Sequence, residues 1–225
     1  PDGQTPCDRN VPYQSVTLST ADNLRLHGWW APGHHPDAPV ALICHGNSGN
    51  IGQRTACVSQ FVKLGFAVFI FDYRGFGNSR GQPSEPGLVL DARAAWDFVV
   101  YKMGVHPSRV VIVGRSLGGA VATSLAFDLE MSGTPVTLIL QCTFTRLQHM
   151  VRLAAGGVAR PWSWLILDSF DTEEKLRQMS APVLIMHAVH DKVVPFRLGD
   201  RLGAIVTARN PCSRFLALPH GGHND

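Results

Sequence analysis

Short apolar runs alternate with stretches of helical periodicity along most of the chain. The apolar runs predict eight strands: Ser15–Ser19, Leu24–Ala31, Val40–Cys44, Ala67–Asp72, Arg109–Val113, Val136–Gln141, Val183–His187 and Arg214–Leu218. Because little sequence separates the first two, we expect them to pair antiparallel at one edge of a sheet. Strands that alternate with helices favour a mostly parallel sheet with helices on both faces, and therefore the α/β class of fold.

Four helices are predicted between these strands: Ile51–Leu64, Leu88–Met103, Ser116–Glu130 and Phe196–Val206. In the second of them Leu88, Ala92 and Trp96 recur every four residues, which is typical of a helix that packs one face on a core. We interpret these apolar residues as core rather than as ligand contacts.

The segment Cys142–Ser180 breaks this alternation, since it is apolar but shows no strand pattern. Long connections of this kind are usually functional when they are not disordered, and the aromatic content argues against disorder. We therefore predict a single domain over residues 1–225 with a short cap inserted at about 142–180. The cap is expected to form an apolar wall that binds the substrate, with four candidate residues: Leu147, Met150, Trp162 and Trp164.

Composition narrows the possible partners. The chain has 225 residues, of which 45% are hydrophobic and 16% are charged, and these values are typical of a folded domain with a sizeable core. Its formal net charge is +3, but the basic residues are scattered, whereas a nucleic-acid-binding protein needs a basic stripe or patch. We therefore expect a small-molecule partner and no nucleic acid. The pattern indicates no particular oligomeric state.

The longest apolar run, Phe66–Phe71, is too short to cross a bilayer. The sequence begins at Pro1 without Met, so an upstream signal or membrane anchor is compatible with it and the native location stays open. Membrane association is expected only through a segment outside this sequence.

The five cysteines are widely spaced, odd in number and without a CxxC pair or a Cys/His metal spacing. We interpret Cys44 and Cys142, at the ends of apolar strands, as buried free thiols. One disulfide remains compatible with the sequence, so the redox compartment is left open.

A nucleophile is indicated at Ser116. The stretch Gly114–Gly118 reads Gly-Arg-Ser-Leu-Gly and follows an apolar strand directly, and a helical pattern begins after it. This order of strand, sharp turn and helix is the context in which G-x-S-x-G positions a nucleophilic serine. The glycines suit a strained turn that packs tightly against neighbouring backbone.

A serine hydroxyl needs a base, and on this type of fold the chain order is Ser, then Asp or Glu, then His. His223 lies in a glycine-rich loop just past the last strand, above the carboxyl edge of the sheet where Ser116 is expected. The alternative, His220, follows Pro219 immediately and is interpreted as a residue that shapes the loop. His223 is therefore the predicted base.

The predicted acid is Asp191, a few residues past the seventh strand, where it would orient the imidazole and stabilise the imidazolium. Asp72 also ends a strand, but it precedes Ser116 in the chain and so has the wrong order. We interpret Asp72 as a structural residue.

Acyl transfer also needs two N–H donors that face the developing oxyanion. One is expected from the backbone of Leu117, directly after the nucleophile, and the other from the loop that follows the third strand. In that loop Asn47 is preferred and Ser48 is the nearest alternative, while His45 is expected to fix the loop by hydrogen bonding.

Taken together, these motifs resemble the α/β-hydrolase superfamily, and in particular the branch that contains α/β-hydrolase domain-containing protein 13. The resemblance runs from about Val16 to Asp225 and rests on five stretches: His45–Gly52, Asp72–Ser79, Pro83–Gly87, Gly114–Gly119 and Gly222–Asp225. The expected fold is thus the α/β-hydrolase fold, with a mostly parallel eight-stranded sheet and a short cap insertion.

The resemblance implies Ser116, Asp191 and His223 as the triad, together with hydrolysis of a carboxylic ester or thioester. This chemistry needs no metal or organic cofactor. Two features depart from the family. Ala188 stands where a glycine is common, and the chain stops two residues after His223, where a closing helix is expected in the family.

Other activities share the same residues. A perhydrolase uses the same triad, and a peptidase can be built on the same fold, although no additional substrate-binding domain is visible here. A non-catalytic binding protein on this scaffold generally lacks a triad residue, whereas this chain retains all three candidates. The natural substrate stays undetermined, because a fold does not fix a function.

Overall fold

The computed structural model describes residues 3–148, 150 and 169–224. In this part of the chain one sheet is built from eight strands: β1 Gln14–Ser19, β2 Arg25–Ala31, β3 Val40–Cys44, β4 Ala67–Phe71, β5 Val110–Arg115, β6 Thr137–Gln141, β7 Val183–Ala188 and β8 Arg214–Leu218. The strand order is β1-β2-β4-β3-β5-β6-β7-β8. The predicted antiparallel pair, β1 with β2, is confirmed at one edge, and β2 also pairs antiparallel with β4. All remaining pairs are parallel.

The described helices of seven residues or more are α1 Thr55–Lys63, α2 Glu85–Asp97, α3 Leu117–Met131, α4 Thr172–Gln178 and α5 Phe196–Arg209. A 3-10 turn, Ile51–Arg54, precedes α1. Helix α2 begins earlier than its apolar stripe predicts, because Ser84 caps its first turn by accepting a hydrogen bond from the Gly87 N–H at 3.3 Å. A π-helical turn, Phe98–Lys102, follows α2.

Alternation along the central strands divides the core between the two faces of the sheet. In β3, Val40, Leu42 and Cys44 belong to the larger hydrophobic cluster, which α2 and α3 cover. Ala41 and Ile43 belong to a second cluster on the opposite face, which α1 covers. Every residue of β3 and β4 is buried, as expected for strands enclosed on both faces.

The predicted cap is described only at its two ends. Leu147 and Met150, at its start, are buried in the larger hydrophobic cluster, with Met150 5% exposed. Helix α4, near its end, was not predicted and packs against α3 and α5. The predicted substrate contacts Trp162 and Trp164 lie in 151–168, outside the described residues.

Strand β8 forms the other edge of the sheet and is more exposed, with Leu216 and Leu218 at 47% and 39%.

Among the described helices none has both the length and the apolar character needed to cross a membrane.

Candidate active site

The parallel strands bring distant residues to one edge of the sheet. Cys44 at the end of β3 lies opposite Gly114 of β5, and Gln141 at the end of β6 lies opposite Met186 of β7. The loops after β3, β5, β6, β7 and β8 therefore leave the sheet at the same carboxyl edge. This is the edge at which α/β proteins place their ligands.

Ser116 stands in the turn between β5 and α3 with φ 54° and ψ −120°. A serine rarely adopts a positive φ, and its occurrence between a strand and a helix is the strained geometry of a nucleophile elbow. Two hydrogen bonds tie the turn to the end of β6 and the residues just after it: the Ser116 N–H donates to Gln141 O at 2.9 Å, and Thr143 Oγ1 donates to Ser116 O at 2.8 Å. The end of β6 thus fixes the nucleophile.

Two glycines of the motif are required because other atoms approach them closely. A Cβ at Gly118 would overlap the carbonyl oxygens of Cys44 and His45, and one at Gly119 would overlap the side chain of Thr143. Helix α3 can therefore begin directly above β3 and β6 only with these glycines present.

Asp191 and His223, the predicted acid and base, contact each other directly. The Asp191 Oδ2 and His223 Nδ1 atoms are 2.7 Å apart, and the two side chains are 0% and 11% exposed. The other oxygen, Asp191 Oδ1, accepts hydrogen bonds from the backbone N–H groups of Val193 and Val194, each at 2.8 Å. The carboxylate is therefore oriented by the backbone on one side and holds the imidazole on the other.

These contacts keep Asp191 ionised. Burial raises its pKa, but hydrogen bonds from His223, Val194 and Val193 favour the charged form, and the pKa lies below its ordinary value as a net result. An ionised Asp191 accepts a hydrogen bond from His223 Nδ1–H and so leaves Nε2 as the basic nitrogen.

Arg115, the second residue of the motif, ties the base loop to the nucleophile strand. Its Nη2 donates to the His223 carbonyl oxygen and, at 3.0 Å, to Asn224 Oδ1. No role for Arg115 was predicted from the sequence. Its position beside Ser116 in G-x-S-x-G suggests a role at the site. The residue that it contacts, His223, lies over one hundred residues further along the chain, so the sequence does not indicate this contact.

The loop after β3 lies against the elbow, because a Cβ at Gly46 would be 3.5 Å from both Arg115 O and the Ser116 Cβ. The predicted oxyanion donor Asn47 follows at once and is half-buried, whereas its alternative Ser48 is exposed. Leu117, the other predicted donor, is the first residue of α3, where backbone N–H groups have no partner within the helix. Each predicted donor thus follows a residue at the elbow: Leu117 follows Ser116, and Asn47 follows Gly46.

His45 fixes this loop through contacts on both of its sides. Its Nδ1 lies 2.7 Å from Gly46 O, and its backbone oxygen accepts a hydrogen bond from the Tyr73 hydroxyl at 3.1 Å. The imidazole is completely buried, and burial lowers its pKa to about 4, although the nearby Asp72 carboxylate raises it. His45 is therefore neutral at ordinary pH.

Asp72 contacts both ends of the same loop and takes no part in the Asp191–His223 pair. Its Oδ1 accepts a hydrogen bond from the Ile51 N–H at 2.9 Å and lies 3.7 Å from His45 Nε2. Its Oδ2 lies 3.7 Å from His27 Nδ1.

A cavity of about 390 Å³ opens beside the base loop and is lined by, among others, Gly46, Arg54, Arg115, Cys142 and His223.

Cys142, at the end of β6, is a free thiol, as predicted, and so is Cys44. One ligand atom each from Cys142, His187 and Asp191 lie within 4.8 Å of one another, a donor set that can bind a metal ion. Burial raises the pKa of the Cys142 thiol, and the neighbouring Asp191 carboxylate raises it further.

The fold and the site define the chain as an α/β hydrolase. Residues 34–170, more than half of the chain, match the family described as serine aminopeptidase, S33, and the chain belongs to this family within the α/β-hydrolase superfamily. The resemblance stated from the motifs is therefore confirmed for the superfamily, and the branch of α/β-hydrolase domain-containing protein 13 stays a prediction.

Individual relatives agree with this assignment. The chain is 33% identical over 240 residues to the α/β hydrolase domain-containing protein WAV2 of Arabidopsis thaliana, covering 98% of this chain and 75% of that protein. It is 36% identical over 188 residues to the lysophosphatidylserine lipase ABHD12 of Danio rerio, covering 77% of this chain and 49% of that protein. The esterase Pf2001 of Pyrococcus furiosus shares the fold, with a TM-score of 0.81 at 18% identity over 99% of this chain and 86% of its own.

Proposed function

We propose that this hydrolase cleaves carboxylic esters or thioesters through an acyl-enzyme on Ser116. The observation that carries the proposal is the convergence of a serine in a left-handed elbow with a buried carboxylate–imidazole pair at the same sheet edge. An esterase among the structural neighbours and a lipase among the relatives support ester chemistry.

In the first half-reaction, His223 Nε2 takes the proton of the Ser116 hydroxyl while Oγ attacks the acyl carbon. The carbonyl oxygen becomes an oxyanion that the backbone N–H of Leu117 and the Asn47 loop stabilise. His223 then gives its proton to the departing alcohol or thiol, and Ser116 keeps the acyl group. Asp191 stays ionised and stabilises the imidazolium.

In the second half-reaction, His223 removes a proton from water, and the hydroxide oxygen attacks the acyl-enzyme. The carboxylic acid leaves and the proton returns to Ser116. No step needs a group beyond the side chains and backbone of this chain. A perhydrolase would follow the same course with peroxide in place of water, and a peptidase would release an amine.

The test is labelling with a fluorophosphonate probe, followed by peptide mapping and by hydrolysis of nitrophenyl esters, thioesters and amino-acid amides. We expect the label on Ser116, with esters and thioesters turned over well and amides poorly. Ser116→Ala should abolish labelling and lower kcat/KM for esters by about four to six orders of magnitude.

Ser108→Ala is the matched control, because Ser108 is exposed and bonds only its neighbour His106 among the described contacts. Labelling that persists in Ser116→Ala, or amide hydrolysis that exceeds ester hydrolysis, would overturn the proposal. A folded wild-type protein that is neither labelled nor active would identify a non-catalytic scaffold instead.

A further inference from the structure

Three side chains of types that can ligate a metal lie close together, and one of them is the proposed acid, Asp191. Cys142 leaves β6, His187 lies on β7 and Asp191 follows β7, and all three residues are buried. Cys142 has φ 46°, a backbone conformation that side-chain-bearing residues rarely adopt. Its N–H donates to Met186 O at 2.9 Å, so the pairing of the β6 and β7 ends continues through this strained residue.

One of the spacings between the three groups matches that around a small divalent cation. The His187 Nε2 and Asp191 Oδ2 atoms are 3.6 Å apart, and all three ligand atoms fall within 4.8 Å of one another. In a tetrahedral zinc site, bonds to sulfur, nitrogen and oxygen place the ligand atoms roughly 3.3–3.6 Å from each other. Thiolate and imidazole ligands favour Zn²⁺ and Co²⁺ over Mg²⁺ and Ca²⁺.

We propose that Cys142, His187 and Asp191 form an inhibitory site for a thiophilic divalent cation such as Zn²⁺. Cys142 and His223 line the same cavity of about 390 Å³, which provides the route from solvent. The ion would hold the Asp191 oxygen that now lies 2.7 Å from His223 Nδ1, and the base would lose its orienting partner.

Binding releases one proton for each ion. The Cys142 thiol gives its proton to solvent as the sulfur–metal bond forms, and no electron is transferred. His187 Nε2 now lies 2.9 Å from Val194 O, so on coordination it gives up this hydrogen bond and the ring proton moves to Nδ1. His187 Nδ1 is buried without a partner in the described structure, and it is therefore available to take that proton.

The first experiment measures the site without any enzymatic activity. Cobalt(II) is titrated into a Cys7→Ser/Cys212→Ser protein, which lacks the two exposed thiols, and the thiolate-to-cobalt charge-transfer absorption is recorded. We expect one Co²⁺ per chain and loss of the band in Cys142→Ser and Cys142→Ala. Cys57→Ser is the matched control, because Cys57 lines the same cavity and should leave the band intact.

The second experiment measures ester hydrolysis at increasing free Zn²⁺, and this arm alone rests on the proposed function. We expect kcat to fall while KM stays unchanged, because the ion lies on the Asp191 side of His223, away from the acyl group. A chelator should restore activity. Cys142→Ala should need a zinc concentration at least about tenfold higher for half-inhibition.

A cobalt–thiolate band that survives in both Cys142 variants, or its absence from the parent protein, would refute the site. Zinc that raises KM at constant kcat would place the ion in the substrate path and also refute the proposal. A protein without esterase activity but with the Cys142-dependent band would contradict the proposed function and leave the metal site standing.

Discussion

Two carboxylates stand beside histidines at the same edge of the sheet, and only one of these two, Asp191, lies within hydrogen-bond distance of a histidine ring. Asp191 Oδ2 lies 2.7 Å from His223 Nδ1, within hydrogen-bond distance. Asp72 lies between two histidines, at 3.7 Å from His45 Nε2 and 3.7 Å from His27 Nδ1, beyond hydrogen-bond distance for both.

His45 and His223 differ most in whether a ring nitrogen remains accessible to a substrate. His45 is fully buried, its Nδ1 lies against Gly46 O, and its ring centroid is 4.5 Å from that of Tyr73. His223 is partly exposed, and Asp191 holds its Nδ1, so Nε2 is directed away from the carboxylate. The proposed role of His223 as a base requires this arrangement, in which one ring nitrogen is held and the other remains within reach of a substrate.

The largest difference between the two pairs should appear on neutralising each carboxylate. We expect Asp191→Asn to lower kcat about 10⁴-fold, because the amide no longer selects the tautomer that leaves Nε2 basic. Asp72→Asn should change kcat of the folded protein less than about tenfold. Steady-state kinetics beside thermal melting would separate the effects, and equal losses of kcat in the two variants would contradict this division.

We expect His45 to contribute to the loss of stability at acidic pH. Burial lowers its pKa to about 4, from 6.5, so between these pH values the unfolded chain binds a proton that the folded chain does not. The free energy of unfolding therefore decreases as the pH falls through this window, on the order of 3 kcal/mol from this residue.

His45→Gln cannot be protonated and should show a shallower decrease between pH 6.5 and pH 4 than wild type. His187, whose pKa burial also lowers, is present in both proteins and contributes equally. Urea unfolding at several pH values is the measurement. Parallel pH profiles for the two proteins would show that His45 titrates normally.

A smaller effect is expected for the structural role of Asp72. Asp72→Asn should lower the free energy of unfolding by about 1–3 kcal/mol at neutral pH, because the Ile51 N–H would then donate to a neutral amide oxygen instead of to a buried carboxylate. Equilibrium unfolding in urea gives this value. Asp37→Asn, at a side chain that is 78% exposed, is the control and should change stability little. An unchanged free energy of unfolding in Asp72→Asn would show that other contacts hold the loop after β3 in place.

The smallest effect is expected at Ser15. Its Oγ lies 3.0 Å from His27 Nε2, so that Ser15, His27 and Asp72 repeat the residue types of a triad near the β1 edge of the sheet. Ser15 is exposed in an ordinary strand without an elbow, and Ser15→Ala should change the free energy of unfolding by about 0.5 kcal/mol or less. Ester hydrolysis and probe labelling should be unchanged, and loss of either would indicate a second nucleophile.

The sheet was predictable because its strands carry strong local signals. β3 and β8 have the predicted bounds, and the other six strands differ by one or two residues at their ends. Helix α4 was missed because its sequence, Thr-Glu-Glu-Lys-Leu-Arg-Gln, has only one apolar residue and shows no hydrophobic periodicity. The strand order was not predicted either, because periodicity identifies strands without saying which of them are neighbours.

The site shows the same division between local and distant signals. Ser116 was predictable because strand, turn and helix are adjacent in the sequence. The contact of Arg115 with the His223 loop and the approach of Cys142 to Asp191 depend on how β5, β6, β7 and β8 pair, so no local pattern indicates them. The triad roles of Asp191 and His223 were inferred from chain order, and their proposed functions await the kinetic tests above.

The elbow also makes Ser116 a reporter of assembly. Its backbone N–H needs the carbonyl of Gln141, and Gly118 needs the position next to Cys44, so β3, β5 and β6 have to be in register before the nucleophile takes its shape. These contacts join residues far apart in the sequence and are expected to form late and slowly in refolding. In a protein diluted from denaturant, the rate at which Ser116 becomes reactive would therefore follow completion of the central sheet. Formation of helix α3 alone would leave Ser116 unreactive.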